Sequence, residues 1–85
     1  MKVISMMRSM VIRKGTRVKW RYGRSFGRGR VEATFHRKVT RTIKGAEVTR
    51  FGQKENKVLL IKSDRGGEVL KLENEVERED LHGEH

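Results

Sequence analysis

The chain has 85 residues, a net charge of +10 and no cysteine. A chain of this length forms one small domain that buries roughly 60–65% of its unfolded surface, which leaves little room for an internal active site. The lack of cysteine excludes disulfides, thiolate zinc sites and cysteine nucleophiles, and suits a reducing compartment. Because no apolar run approaches the ~20 residues of a membrane span and no secretory cleavage site follows the first residues, we expect a soluble, cytoplasmic protein.

The chain begins with a segment that lacks periodicity. We expect residues 1–11 to be a flexible N-terminal segment, in which Met6, Met7 and Met10 are alternative starts. Thr16 to Tyr22 then alternates between two faces, which predicts a strand. Val18, Trp20 and Tyr22 lie on one face, and Arg17, Lys19 and Arg21 lie on the other.

A second strand follows within a few residues. We expect a loop from Gly23 to Phe26 and a strand from Gly29 to His36. Gly27 and Gly29 are two apart on one strand face and suit a sharply bent strand. In the regular alternation of this strand Val31, Ala33 and Phe35 oppose Arg30, Glu32, Thr34 and His36.

The rest of the chain continues in short elements. "KVTRTIKGAEVTRF" predicts a hairpin around Lys44-Gly45, because β-branched residues flank a two-residue turn with glycine. "KVLLIKS" is typical of a central strand, and "EVLKL" predicts another after the turn "DRGG". In "ENEVERED" we expect one or two turns of helix, with Leu72 and Val76 on one face. The folded unit should therefore span residues 12–77, followed by an acidic, frayed tail at residues 78–85.

Five or six short antiparallel strands with glycine turns predict an all-β domain, either a compact barrel or a sandwich. Between Ile12 and Val76, the motifs "GTRVKWRYG", "GRGRVE", "VTRTIKGAEVTR" and "VLLIKSDRGGEVLKL" occur in order. In these motifs the chain resembles the hypervirulence-associated Tudor domain family of small bacterial and fungal proteins. The resemblance implies an SH3-like, Tudor-type barrel with a projecting hairpin and a short C-terminal helical turn.

Positive charge is concentrated in the first two thirds of the chain. Residues 1–54 contain 16 Lys and Arg against two acidic residues, whereas residues 55–85 contain five against nine. Strongly basic segments usually meet polyanions, and arginine favours phosphate through its planar fork of donors. We therefore predict an anion-binding surface for nucleic acid. Its residues are Arg17, Lys19, Arg21, Arg28 and Arg30, helped by Arg24 and by Arg41 and Lys44 of the hairpin.

Three aromatic residues lie within or beside this basic stretch. Trp20 alternates with charged neighbours and is expected in the core. Tyr22 and Phe26 flank the first turn and are the candidates for stacking on bases. A cage for a methylated cation would need three or four converging aromatics, and the chain has only five.

Catalysis has little support in the sequence. His36, His82 and His85 lack metal-ligand spacing, Ser25 and Ser63 have no neighbouring base, and no cofactor motif is complete. We expect a binding module that is not an enzyme, with no metal, no cofactor and no membrane partner. Besides nucleic acid, an acidic protein partner or a phosphorylated small molecule would use the same cations.

Overall fold

The structure is a computed structural model that describes residues 12–79. The prediction of an all-β antiparallel fold is confirmed, with seven strands among the described residues rather than five or six. The expectation of a flexible segment at residues 1–11 lies outside the described residues. The strands are β1 (Arg17–Tyr22), β2 (Ser25–Phe35), β3 (Lys38–Ile43), β4 (Ala46–Phe51), β5 (Val58–Ser63), β6 (Glu68–Leu72) and β7 (Glu77–Arg78).

Five of these strands form one sheet in the order β6-β5-β2-β1-β7. The β1–β2 connection is tighter than the predicted loop, because Tyr22 pairs with Ser25 and only Gly23 and Arg24 remain in the turn. Gly23 has a φ of 63°, which a residue with a side chain rarely adopts. The short turn holds β1 and β2 in register over the whole length of β1.

Strands β3 and β4 form a separate two-stranded sheet, as the predicted hairpin requires. Lys44 and Gly45 occupy its turn with φ values of 52° and 82°, and Ile43 pairs with Ala46 on either side. Two positive φ values in a two-residue loop are the signature of a type I′ turn, whose twist matches that of the strands. The hairpin prediction is confirmed.

Strand β5 separates two hydrophobic clusters. Its residues alternate between them: Leu59 and Ile61 belong to the first, and Val58 and Leu60 belong to the second. Burial of both faces explains why "VLLI" reads as a continuous apolar run. The first cluster also contains Ile12, Val18, Trp20 and Val31, and the second contains Val39 and Leu70.

The alternation predicted for the second strand is wrong at one point. A register shift between Val31 and Ala33 opposes Val31 to Ile61 but Ala33 to Leu60. The extra residue of such a bulge reverses the faces that follow it. Val31 therefore packs in the first cluster, whereas Ala33 and Phe35 pack against the second.

Trp20 lies in the core, as predicted, with only 5% of its surface exposed. It pairs across the strands with Gly27, and a Cβ atom at position 27 would come within 2.5 Å of the indole ring. Gly27 thus leaves room for the ring to lie against the backbone of β2.

The predicted short helical turn near the C-terminus is confirmed, but it is shorter than two turns and a strand follows it. A single 3-10 turn covers Glu73–Glu75, and β7 then pairs with β1, with Val18 opposite Arg78. Leu72 packs against the second cluster and Val76 against the first, so the two residues do not share one face. Glu79 also donates its backbone N–H to the carbonyl of Arg17 at 2.8 Å. The packed chain thus continues two residues beyond the predicted boundary at 77, and the tail prediction for residues 80–85 lies outside the described residues.

Candidate functional site

The first two strands bring together the cations that the sequence singles out. Val18 and Trp20 are buried on one face of β1, so the residues between them face outward. We call this outward surface the basic face. Its cross-strand pairs are Arg17 with Arg30, Lys19 with Arg28 and Arg21 with Phe26.

Two carboxylates of the same chain partly neutralise the basic face. Arg17 donates two hydrogen bonds to Asp64, at 2.9 Å and 2.7 Å. Arg28 Nε donates to Glu79 Oε2 at 2.6 Å, and Glu79 Oε1 lies 3.6 Å from Arg17 Nη2. Like charges on paired strands repel, and these acids relieve the repulsion at Arg17 and Arg28.

Sequence reasoning named neither Asp64 nor Glu79 as a partner of the basic face. Asp64 reaches the basic face because Gly29 pairs with Ser63, after which Asp64 donates its N–H to the Arg28 carbonyl at 2.9 Å. Glu79 arrives through the pairing of β7 with β1. For Glu79 the signal was the acidic composition of "ENEVERED", which does not include Asp64, and its position depended on strand pairing that composition does not encode.

The Arg17–Asp64 ion pair makes stability depend on pH. Hydrogen bonds from Arg17 hold the pKa of Asp64 below its usual range. The pair should therefore stabilise the fold above the unfolded pKa of about 3.9, and this contribution should vanish as pH falls through the lower folded value. Because 47% of the Asp64 side chain is exposed, we expect Asp64→Asn to cost under about 1 kcal/mol at pH 7.

Urea unfolding of wild type and Asp64→Asn between about pH 7 and pH 2.5 measures this effect. The difference between the two proteins should shrink towards zero at the acid end. Glu55→Gln is the control, because Glu55 is exposed and forms no ion pair among the described residues. A difference for Asp64→Asn that is constant with pH would contradict the assignment.

Four predicted cations keep their charge available for a ligand. Among residues 12–79, Lys19, Arg21, Arg24 and Arg30 form no ion pair. Lys19 Nζ and Arg21 Cζ lie 5.1 Å and 5.8 Å from the centre of the Phe26 ring, which is 40% exposed. Both cations therefore lie over this ring, within the range of cation–π contact.

The other predicted residues lie elsewhere. Tyr22 follows Arg21 on β1 and points to the opposite face from Phe26, so the two rings do not form one stacking platform. Arg41 and Lys44 belong to the β3–β4 sheet, and no ion pair or hydrogen bond among the described residues connects them to the basic face. Lys44 instead lies near the β5–β6 turn, where a Cβ atom at Gly67 would be 3.4 Å from its Cε.

Tyr22 and Lys44 meet at a shallow concavity of about 110 Å³. Trp20, Gly27, Arg65 and Glu68 are among its other lining residues. Tyr22 itself is 64% exposed. This concavity is a second candidate site, at the turn end of the β1–β2 hairpin and on the face that carries Trp20 and Tyr22.

The comparison with known families is decisive for the fold. The family model for the Tudor domain of hypervirulence-associated proteins matches residues 15–76, which include β1 to β6. The chain belongs to this family. Neither a curated protein nor a solved structure matches the chain significantly. The match confirms the Tudor-type fold expected from the sequence and indicates a small binding module. Glu79, which pairs with Arg28 in this Tudor domain, lies beyond the residues that the family model matches.

Two structural features are absent from residues 12–79 of the Tudor domain. No helix within them is long and apolar enough to span a membrane. No group of three or more His, Asp or Glu side chains there is arranged to hold a metal ion.

Proposed function

We propose that this Tudor domain is a non-enzymatic module that binds nucleic acid through its basic face, with weak preference for sequence. The observation that carries the proposal is the row of cations on β1, the β1–β2 turn and β2 that have no carboxylate partner among the described residues. These cations are Lys19, Arg21, Arg24 and Arg30.

The geometry of the basic face suits a phosphate backbone better than a single small anion. The cations are spread along two paired strands and the turn between them, instead of converging on one point. Phosphate contacts position a protein on nucleic acid without reading the bases. Phe26 adds an exposed ring for stacking, which tolerates any base. We therefore expect affinity to be governed by charge.

Fluorescence anisotropy with labelled oligonucleotides tests the proposal. If four phosphates are contacted, the slope of log affinity against log salt for duplex should be about −3 to −4 between roughly 50 and 300 mM salt. Lys19→Ala and Arg21→Ala should each weaken binding to all sequences and flatten this slope by about one unit. Lys54→Ala is the matched control, because Lys54 is exposed and lies outside the basic face.

The measurement at the lowest salt concentration gives the result that would overturn the proposal. Absence of binding at about 50 mM salt and tens of micromolar protein is incompatible with a surface of four available cations. An acidic protein partner would then be the leading hypothesis for the basic face. Circular dichroism of each variant separates lost binding from lost folding.

A further inference from the structure

The concavity beside Tyr22 has the chemistry of a site for one unpaired base. Tyr22 offers an exposed ring, and bases of any identity stack on such rings. Gly66 contributes lining without a side chain, and the space beside it is open, so a flat group can approach the backbone there. Lys44 and Arg65 also line the site and supply positive charge for an adjacent phosphate.

Glu68 gives the concavity a feature that a pure anion site would lack. It is half-buried, lines the concavity and forms no ion pair among residues 12–79. A carboxylate repels phosphate but accepts hydrogen bonds from the exocyclic amino group of a base. A ring, a carboxylate and two cations together fit a nucleotide better than a free phosphate.

The position of the concavity relative to the basic face selects the form of nucleic acid. Phe26 and Tyr22 lie on opposite faces of the hairpin, and each is within two residues of the Gly23-Arg24 turn. A ligand that contacts both faces must bend around this turn, past Arg24. Duplex DNA has a persistence length of about 150 base pairs and does not follow such a path, whereas a single strand does.

We propose that the concavity binds an unpaired base, and that the domain therefore prefers single-stranded nucleic acid to duplex. The proposal rests on the proposed function, because phosphate contacts at the basic face bring the strand to the turn. Duplex would use the basic face alone. Single strands would use the basic face and the concavity together.

Anisotropy with a labelled, unstructured single-stranded oligodeoxynucleotide and a duplex of equal length tests this proposal. Wild type should bind the single strand more tightly. Tyr22→Leu should weaken single-strand binding at least roughly fivefold and leave duplex binding unchanged, while Tyr22→Phe should retain both. Phe51→Leu is the matched control, since Phe51 is 63% exposed on β4 and lies outside both sites.

The outcomes separate this proposal from the proposed function. Duplex binding with the expected salt slope, combined with no effect of Tyr22→Leu on single strands, would overturn the concavity as a base site and leave the basic face intact. An equal loss for both ligands would also overturn it, because Tyr22 would then act through general contact or folding. Absence of binding to either ligand would overturn both proposals.

Discussion

Gly29→Ala is expected to destabilise the domain by about 3 kcal/mol, a large fraction of the stability of a small domain. A Cβ atom at this position would overlap the carbonyl oxygen of Lys62 and come within 2.8 Å of Ile61 Cγ2. The carbonyl belongs to the backbone of β5 and cannot move aside without disturbing the β2–β5 pairing. The side chain added is small, but the space for it is already filled.

The fluorescence of Trp20 reports this change directly, because Trp20 is the only tryptophan of the chain and is buried. Urea unfolding should show a lower midpoint with an unchanged slope. Ser25→Ala, at the exposed start of the same strand, should stay within about 0.5 kcal/mol of wild type. Equal stability of Gly29→Ala and wild type would mean that β2 and β5 are not as close as the structure places them.

The second large effect concerns binding and has the opposite sign. In the double variant Asp64→Asn/Glu79→Gln, Arg17 and Arg28 lose their carboxylate partners and become available to phosphate. Removing one negative charge near a phosphate improves the interaction by about 1 kcal/mol in water-like surroundings. Because the variant removes two, its affinity for nucleic acid should rise roughly thirtyfold. Two added contacts should also steepen the salt slope by nearly two units.

The matched control for this variant is Glu47→Gln/Glu55→Gln, which changes the net charge equally at exposed positions outside the basic face. Its affinity should rise only slightly, through the general field of the protein. If both double variants gained equally in anisotropy titrations, Asp64 and Glu79 would have no special role in limiting access to the basic face.

Much of the fold was predictable because its signals are local. The alternation around Trp20 placed the outward cations correctly, and Lys44-Gly45 predicted the hairpin turn. The bulge between Val31 and Ala33 was not predictable, because the strand reads as regular alternation and only packing on two clusters reveals the shift. The helical turn after β6 was predicted, but β7 was missed for a similar reason, since it is a strand only through its partner β1.

The candidate site was predictable to a smaller extent. Charge and periodicity identified the cations of the basic face, but not which of them would be neutralised. That distinction depends on contacts between residues far apart in the chain, such as Arg17 with Asp64 and Arg28 with Glu79. Tyr22 and Phe26 were correctly placed beside one turn, yet the tightness of the turn decided that they point to opposite faces.

The double-sided burial of β5 has a consequence for how the chain avoids misfolding. A strand that is apolar on both faces would bury a similar apolar surface if its register shifted by one residue. The residues "VLLI" therefore do not determine the register of β5 with its neighbours. Its register must therefore be determined by the neighbouring strands β2 and β6. Gly29 does so by contact: a slip would bring the side chain of Arg28 or Arg30 against the Lys62 carbonyl, where only glycine fits. Gly29 thus favours the native alignment of β2 with β5 over pairings shifted by one residue.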